Sequence, residues 1–254
     1  MPSIVQAAAF DDASALRVSQ NAIGKQINDL TFRDSGGKTV RLSDFRGKPL
    51  LVNFIYTSCA HSCGVMTRYL ADVYENARDV FGPESFNAIT VGFDTPRDTP
   101  RRMRSFARRQ GVEGSPGWYF LSADAEIVKT LEKNTGFVQF PTGKGFDHLD
   151  QVTIIDGTGK VASQVYGATF DKPLLMEPMK ELVFGTPAPY RSLADLIKKV
   201  RLFCTLYDPA ADRYKFDYSL FIQISAGIII IGSVIIILVR ETWRRRRPDG
   251  ERSV

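Results

Sequence analysis

The feature that most restricts this chain is a run of 21 residues, 219–239, with no charged side chain and nine isoleucines. As an α-helix it is roughly 31 Å long, about the thickness of a bilayer's hydrocarbon core. A core helix of a soluble domain rarely lacks all charge over such a length. The run therefore reads as a single transmembrane helix, and an entirely soluble chain is excluded. The remainder, about 200 residues, is enough for one well-buried domain. A hydrophobic content of 44% with only three cysteines excludes a disordered chain, a collagen-like repeat and a small disulfide scaffold.

Basic residues orient the span. Arg201, Arg213 and Lys215 precede it, whereas Arg240, Arg244, Arg245, Arg246, Arg247 and Arg252 follow it. The positive-inside rule then places the C-terminus in the cytoplasm and the large domain on the outer face, with Tyr218 and Trp243 where interfacial aromatics lie. A domain that precedes such a span reaches the outer face only by export. Residues 1–10 lack a basic n-region and a full apolar core, yet Gln6 and Ala7 to Ala9 resemble the small-residue end of a signal peptide. The expectation is an export signal upstream of Met1, lost through a misplaced start or trimming.

Within the outer domain, a polar turn at 35–38 joins 30–32 to 40–42 as a hairpin. The apolar runs at 50–55 and 88–93 read as buried strands. Between them Val65, Met66, Leu70, Val73 and Tyr74 recur at helical spacing. Thr99 and Pro100 form a cap and first-turn pair that opens a helix through Gln110. A strand at 118–121, a helix at 123–134, a hairpin of 152–155 with 161–165, and a closing helix at 173–184 complete the domain. Strand and helix alternate and then end in hairpin and helix, which predicts an α/β thioredoxin-like sheet flanked by helices, plus one C-terminal transmembrane helix. The expected organisation is a lead-in at 1–21, this domain at 22–185, a linker and juxtamembrane helix at 186–218, the span at 219–239 and a basic tail at 240–254. Residues 185–190 supply the Gly- and Pro-rich linker, and Leu193, Leu196, Ile197 and Val200 form the stripe of the juxtamembrane helix.

The strongest chemical signal lies between the first buried strand and its helix. Cys59 and Cys63, four residues apart, fall on one side of a helical turn, and a helix N-terminus favours thiolate. Spacing alone leaves a structural disulfide and a metal-binding pair both open. Two sulfurs are an incomplete soft ligand set, and the chain has only two histidines. His61 lies between the cysteines, and His148 lies before the strand at 152–155. In a thioredoxin-like fold the loop before that strand returns over the cysteine loop, within reach of both sulfurs. Cys2His suits Cu(I) in trigonal geometry, or Cu(II) with an added ligand, whereas structural zinc takes four protein ligands.

The surrounding residues extend this pattern. Gly-Lys-Pro-Leu-Leu-Val-Asn-Phe-Ile-Tyr-Thr at 47–57 leads into the cysteine pair, Val-Gly-Phe-Asp-Thr-Pro-Arg-Asp-Thr-Pro follows at 91–100, and Trp-Tyr-Phe-Leu-Ser stands at 118–122. Asp147 and His148 precede Ile-Asp-Gly-Thr-Gly at 155–159. Together these residues, spanning 22–185, resemble the Sco/SenC family of thioredoxin-like copper proteins that assist cytochrome c oxidase assembly. The resemblance carries copper ligands onto Cys59, Cys63 and His148, and puts Asp94 in an acidic motif suited to a supporting hydrogen bond. It implies a carrier rather than a turnover enzyme, on a bacterial inner (plasma) membrane with its domain periplasmic or extracytoplasmic. Copper would pass to the dinuclear CuA site of oxidase subunit II. The different reading is a thiol–disulfide oxidoreductase, in which Cys59 and Cys63 keep partner cysteines reduced.

Three features depart from the family pattern. Ala60 and Gly64 stand where family members often have proline, His61 is added to the loop, and the anchor is C-terminal. Cys204 is the odd thiol, and a single cysteine defines no site.

Charge is local. The tail at 240–254 contributes +3 and residues 95–110 contribute +5, so the rest of the chain is about −3 against a total of +5. Met103, Phe106 and Ala107 form the buried face of the 99–110 helix and leave Arg101, Arg102, Arg104, Arg108 and Arg109 outside. A solvated face is the ordinary reading, and docking to an acidic partner is the alternative. Nucleic acid is no partner for a domain outside the membrane.

Overall fold

The computed structural model of the protein describes residues 11–185, 205–208, 213–216 and 219–245. The expectations for residues 1–10, the linker at 186–190, the stripe from Leu193 to Val200, Cys204, Tyr218 and the arginines from Arg246 onward lie outside the described residues.

A seven-stranded sheet organises the domain. Its centre is β3 (Leu50–Ile55), β4 (Asn87–Gly92) and β5 (Trp118–Ser122), which run parallel, β3 beside β4 and β4 beside β5. Every residue of β3 is buried, as expected of a strand covered on both faces. The connecting helices are α2 (Ser62–Phe81) between β3 and β4, and α3 (Pro100–Arg109) between β4 and β5. Both crossovers step in the same direction, so right-handed connection puts α2 and α3 on one face of the sheet. The antiparallel strands β1 (Thr31–Asp34) and β2 (Thr39–Arg41) extend the sheet beyond β5, and β8 (Gln151–Ile155) and β9 (Val161–Tyr166) extend it beyond β3. The expected α/β sheet flanked by helices is present.

Sequence and structure agree closely at most elements. The N-terminal helix α1 (Asp12–Gln20) is tied to the sheet by a buried polar cluster, in which the Ser19 hydroxyl donates to Gln151 at 2.8 Å and Gln164 donates to the Thr135 carbonyl at 2.8 Å. Thr135 closes α4 (Ala125–Thr135), and α5 (Pro173–Phe184) packs on β8, β9 and α2. Thr99 caps α3 by accepting from the Arg102 amide, with Pro100 at the first position. Met103, Phe106 and Ala107 are buried and the five arginines of α3 are exposed.

Two differences concern the cysteine region. Helix α2 starts at Ser62, three residues before the first periodic apolar residue, Val65, and so takes Cys63 into its first turn. The segment before β8, expected as a loop, is a separate antiparallel ribbon of β6 (Gln139–Thr142) and β7 (Gly145–His148). Its residues are mostly half-exposed or exposed, so it lacks the alternating apolar signature of a strand on a core.

Towards the C-terminus, β10 (Thr205–Asp208) and β11 (Arg213–Phe216) pair as a hairpin. Helix α6 (Ser219–Arg245) follows, and its segment Ile222–Thr242 is long and apolar enough to cross a membrane, with a mean hydropathy of 2.7 and none of it buried.

Candidate metal centre

The cysteine loop leaves the sheet at the carboxyl end of β3, the edge on which open α/β sheets place their ligands. After Tyr56 the chain turns, with the Cys59 amide donating to the Tyr56 carbonyl at 3.0 Å. Cys59 is half-buried and Cys63 is buried, and both are free thiols.

The two sulfurs differ sharply in proton affinity. The Cys63 thiol donates to Cys59, the backbone N–H groups of Cys63 and His61 point at the same sulfur, and the Tyr56 hydroxyl adds a further bond. Donors around one sulfur favour its anion. Led by the bond from Cys63, they bring the Cys59 pKa down to about 4 against the opposing effect of burial. The same bond, together with burial, pushes Cys63 up and keeps its proton in place. Burial and the bond to Cys59 push Tyr56 up to about 12.

Aromatic packing fixes Tyr56. Its ring centroid lies 5.3 Å from those of Phe93 and Phe146 and 6.3 Å from that of His148. Gly145 adopts φ +138°, and a Cβ there would lie 2.7 Å from the Tyr56 hydroxyl. The β6–β7 ribbon can thus close over Tyr56 only because residue 145 is glycine.

His148 ends β7 with a side chain only 6% exposed, set among Phe93 and Phe137 at ring distances of 5.5 and 5.4 Å. Its Nδ1 lies 3.1 Å from the Leu149 carbonyl. A carbonyl only accepts, so Nδ1 carries hydrogen and Nε2 is left as the basic nitrogen, the arrangement that prepares an imidazole as a ligand. The Asp150 carboxylate lies 3.9 Å from Nδ1, and burial raises its pKa.

The structure brings Cys59 and Cys63 together and gives Cys59 and His148 a common neighbour in Tyr56. Among the described residues, no three His, Cys, Asp or Glu side chains are gathered to hold a metal ion. The chemistry of the donors nonetheless suits a soft ion, with one thiolate, one thiol and one imidazole. His61 is exposed beside the pair. Asp94 is buried, and its carboxylate accepts from the exposed Arg97 at 3.0 Å.

Sequence reasoning missed Tyr56 and Asp98. Asp98 is buried and binds Thr57, two residues before Cys59, and the amide of Asp94. Burial raises its pKa, and the three donated bonds oppose that rise. The nearest sequence signal was the recurrence of acids in the motif at 91–100, which said nothing of which acid is clamped.

The SCO1/SenC family model matches residues 20–183. The SCO1 protein homolog of Bacillus subtilis (strain 168) is 24% identical over 154 residues, covering 58% of this chain and 77% of that protein. The structure of Bradyrhizobium japonicum ScoI with copper bound superposes with a TM-score of 0.50 at 22% identity, covering 62% of this chain and 97% of that one. BsSco, described as a member of the Sco family of cytochrome c oxidase assembly proteins and as carrying a disulfide switch, superposes with a TM-score of 0.56 at 21% identity, covering 63% and 94%.

Proposed function

Because this chain belongs to the SCO1/SenC family, we propose that it is a membrane-anchored copper carrier that binds copper through Cys59, Cys63 and His148 and delivers it during cytochrome c oxidase assembly. Its fold is the thioredoxin-like fold of Sco proteins. The observation that carries the reading is the cradled Cys59 thiolate, bonded to the Cys63 thiol and sharing Tyr56 with a histidine whose Nε2 is free to bind. Copper is cargo here. Cys59 meets it as an anion, Cys63 gives up its proton as its bond to Cys59 is replaced, and Nε2 of His148 completes the set. The three donors come together when the cysteine loop and the β6–β7 ribbon close on the ion.

The acceptor in this reading is the CuA site of oxidase subunit II, reached by ligand exchange. Helix α6 is the anchor, with the domain on the outer face and the arginine tail in the cytoplasm. A second reading, thiol–disulfide exchange with the partner's cysteines, is favoured by the same pair, since a low-pKa Cys59 can attack and Cys63 can resolve. The two separate on copper stoichiometry of the reduced full chain and its His148→Ala variant. The carrier reading expects one copper per chain and a large loss of affinity in the variant. Absent or unchanged binding with intact thiol exchange leaves only the oxidoreductase.

A further inference from the structure

Helix α3 is held against the cysteine loop at both ends. At its start, Asp98 immediately precedes the Thr99 cap and binds Thr57 of the loop. At its end, Gln110 accepts from Arg68, and a Cβ on Gly64, the residue after Cys63, would lie 3.3 Å from the Gln110 Oε1. The helix that carries five exposed arginines is therefore tied at both ends to the segment that carries the cysteines.

The two flanks of α3 differ electrically. On the flank away from the cysteines, Arg108 grips Glu113 with bonds of 2.7 and 3.2 Å, and the Arg104 guanidinium stands beside the β1–β2 turn that holds Asp34. At 100° per residue, Arg102 and Arg109 are stacked about 20° apart on the flank opposite Arg104, with Arg101 at the crest. None of these three pairs with a carboxylate among the described residues. Ala60 and His61, in the cysteine loop, are exposed as well. The positive charge of Arg101, Arg102 and Arg109 is thus unneutralised among the described residues, while that of Arg108 is cancelled by Glu113.

We propose that the Arg102 and Arg109 flank of α3 is the docking surface for an acidic protein, the partner whose sulfur or metal site meets Cys59. A bilayer lying on this flank would cover the loop, whereas an acidic protein brings its own site to the sulfur. Opposite charge of this kind raises association rates and fixes orientation. The proposal rests on the transfer role given above, and its test uses no copper, so loss of copper binding and loss of docking are read apart.

The probes are two matched disulfide-bridged peptides, one flanked by glutamates and one by glutamines, offered to the reduced full chain in phosphatidylcholine nanodiscs. The Cys59 thiolate attacks the probe disulfide, forms a mixed disulfide and expels one probe thiolate. Cys63 then attacks Cys59, closing the Cys59–Cys63 disulfide and releasing the second thiolate, to which its proton passes. The probe gains two electrons and the pair loses two. The acidic probe should react roughly tenfold faster or more at low ionic strength, and salt should erase the difference. R102Q/R109Q should lose most of this preference at an unchanged rate with the neutral probe, which also reports that the variant is folded. R104Q/R108Q should keep the preference. Retention of the preference in R102Q/R109Q, or its equal loss in R104Q/R108Q, overturns the proposal. So does its disappearance from the wild type when phosphatidylglycerol is added to the nanodisc, which would give the flank to lipid.

Discussion

The Asp98 carboxylate holds Thr57 through two hydrogen bonds to one oxygen, from the Thr57 amide at 2.8 Å and from its hydroxyl at 2.7 Å. The other oxygen takes the Asp94 amide at 2.9 Å. One buried side chain thereby pins the loop after β3 to the loop after β4, and sets where Cys59 can stand.

Asp98→Asn turns one of these acceptors into a donor facing a donor. The expected cost is about 1–3 kcal/mol of stability, with weaker copper binding because the loop ahead of Cys59 is released. Denaturant unfolding and copper competition titrations on the variant check this. Unchanged values in both would show that the clamp has no hold on the site.

Gly92→Ala probes the same junction from the sheet. A Cβ at residue 92 would lie 2.5 Å from the Asp98 Cβ and 2.8 Å from the Met103 Sδ. Both neighbours are buried, so relief requires moving the start of α3, an overpacking cost of about 1–3 kcal/mol. A melting temperature equal to the wild type's would contradict the close approach.

The cradle around Cys59 predicts an unusual pH profile for alkylation of the reduced, metal-free chain. With a pKa near 4, the Cys59 rate with iodoacetamide should be flat from weakly acidic to neutral pH and should fall only as pH approaches 4. An ordinary cysteine instead accelerates up to about pH 8–9. The linked stability has the same sign, being present at alkaline pH and lost as pH falls through the folded pKa. Tyr56→Phe removes one donor and should shift the profile upwards. A rate that keeps rising through neutral pH in the wild type would dismantle the thiolate assignment.

Glu132, on α4, is a half-buried acid away from the cysteines. Its Oε1 has no hydrogen-bond partner, and burial pushes its pKa up to about 7 despite the attraction of Lys129. A raised carboxyl contributes its full stability below the unfolded value, about 4.3, and loses it as pH rises through 7. Glu132→Gln should therefore be near neutral at pH 5 and stabilising at pH 8, by about 1 kcal/mol once its partial exposure is discounted. Equal effects of the substitution at the two pH values would exclude this origin.

What the sequence made legible follows from period and spacing. The apolar run of β3 is buried throughout, and Met103, Phe106 and Ala107 lie on one face of α3 because a helix cannot bury arginines four residues apart on both sides. The cysteine pair stood out by its spacing. The bonds that tune the pair did not, since Asp98 meets Thr57 across 41 residues and Tyr56 reaches Cys59 through a turn. Hydrogen bonds between loops leave no periodic trace. The β6–β7 ribbon was hidden for a related reason, because a two-stranded element off the core has little apolar alternation to betray it.

That ribbon bears on how a carrier reconciles grip with release. In the proposed site two donors share one loop and the third sits on an arm outside the seven-stranded sheet. Withdrawal of the arm would leave copper on two sulfurs with one coordination position vacant, ready for an incoming donor, while the sheet stays intact. Residence time and fold stability then become separate quantities, and the cargo's off-rate can be tuned through residues 139–148 without weakening the core.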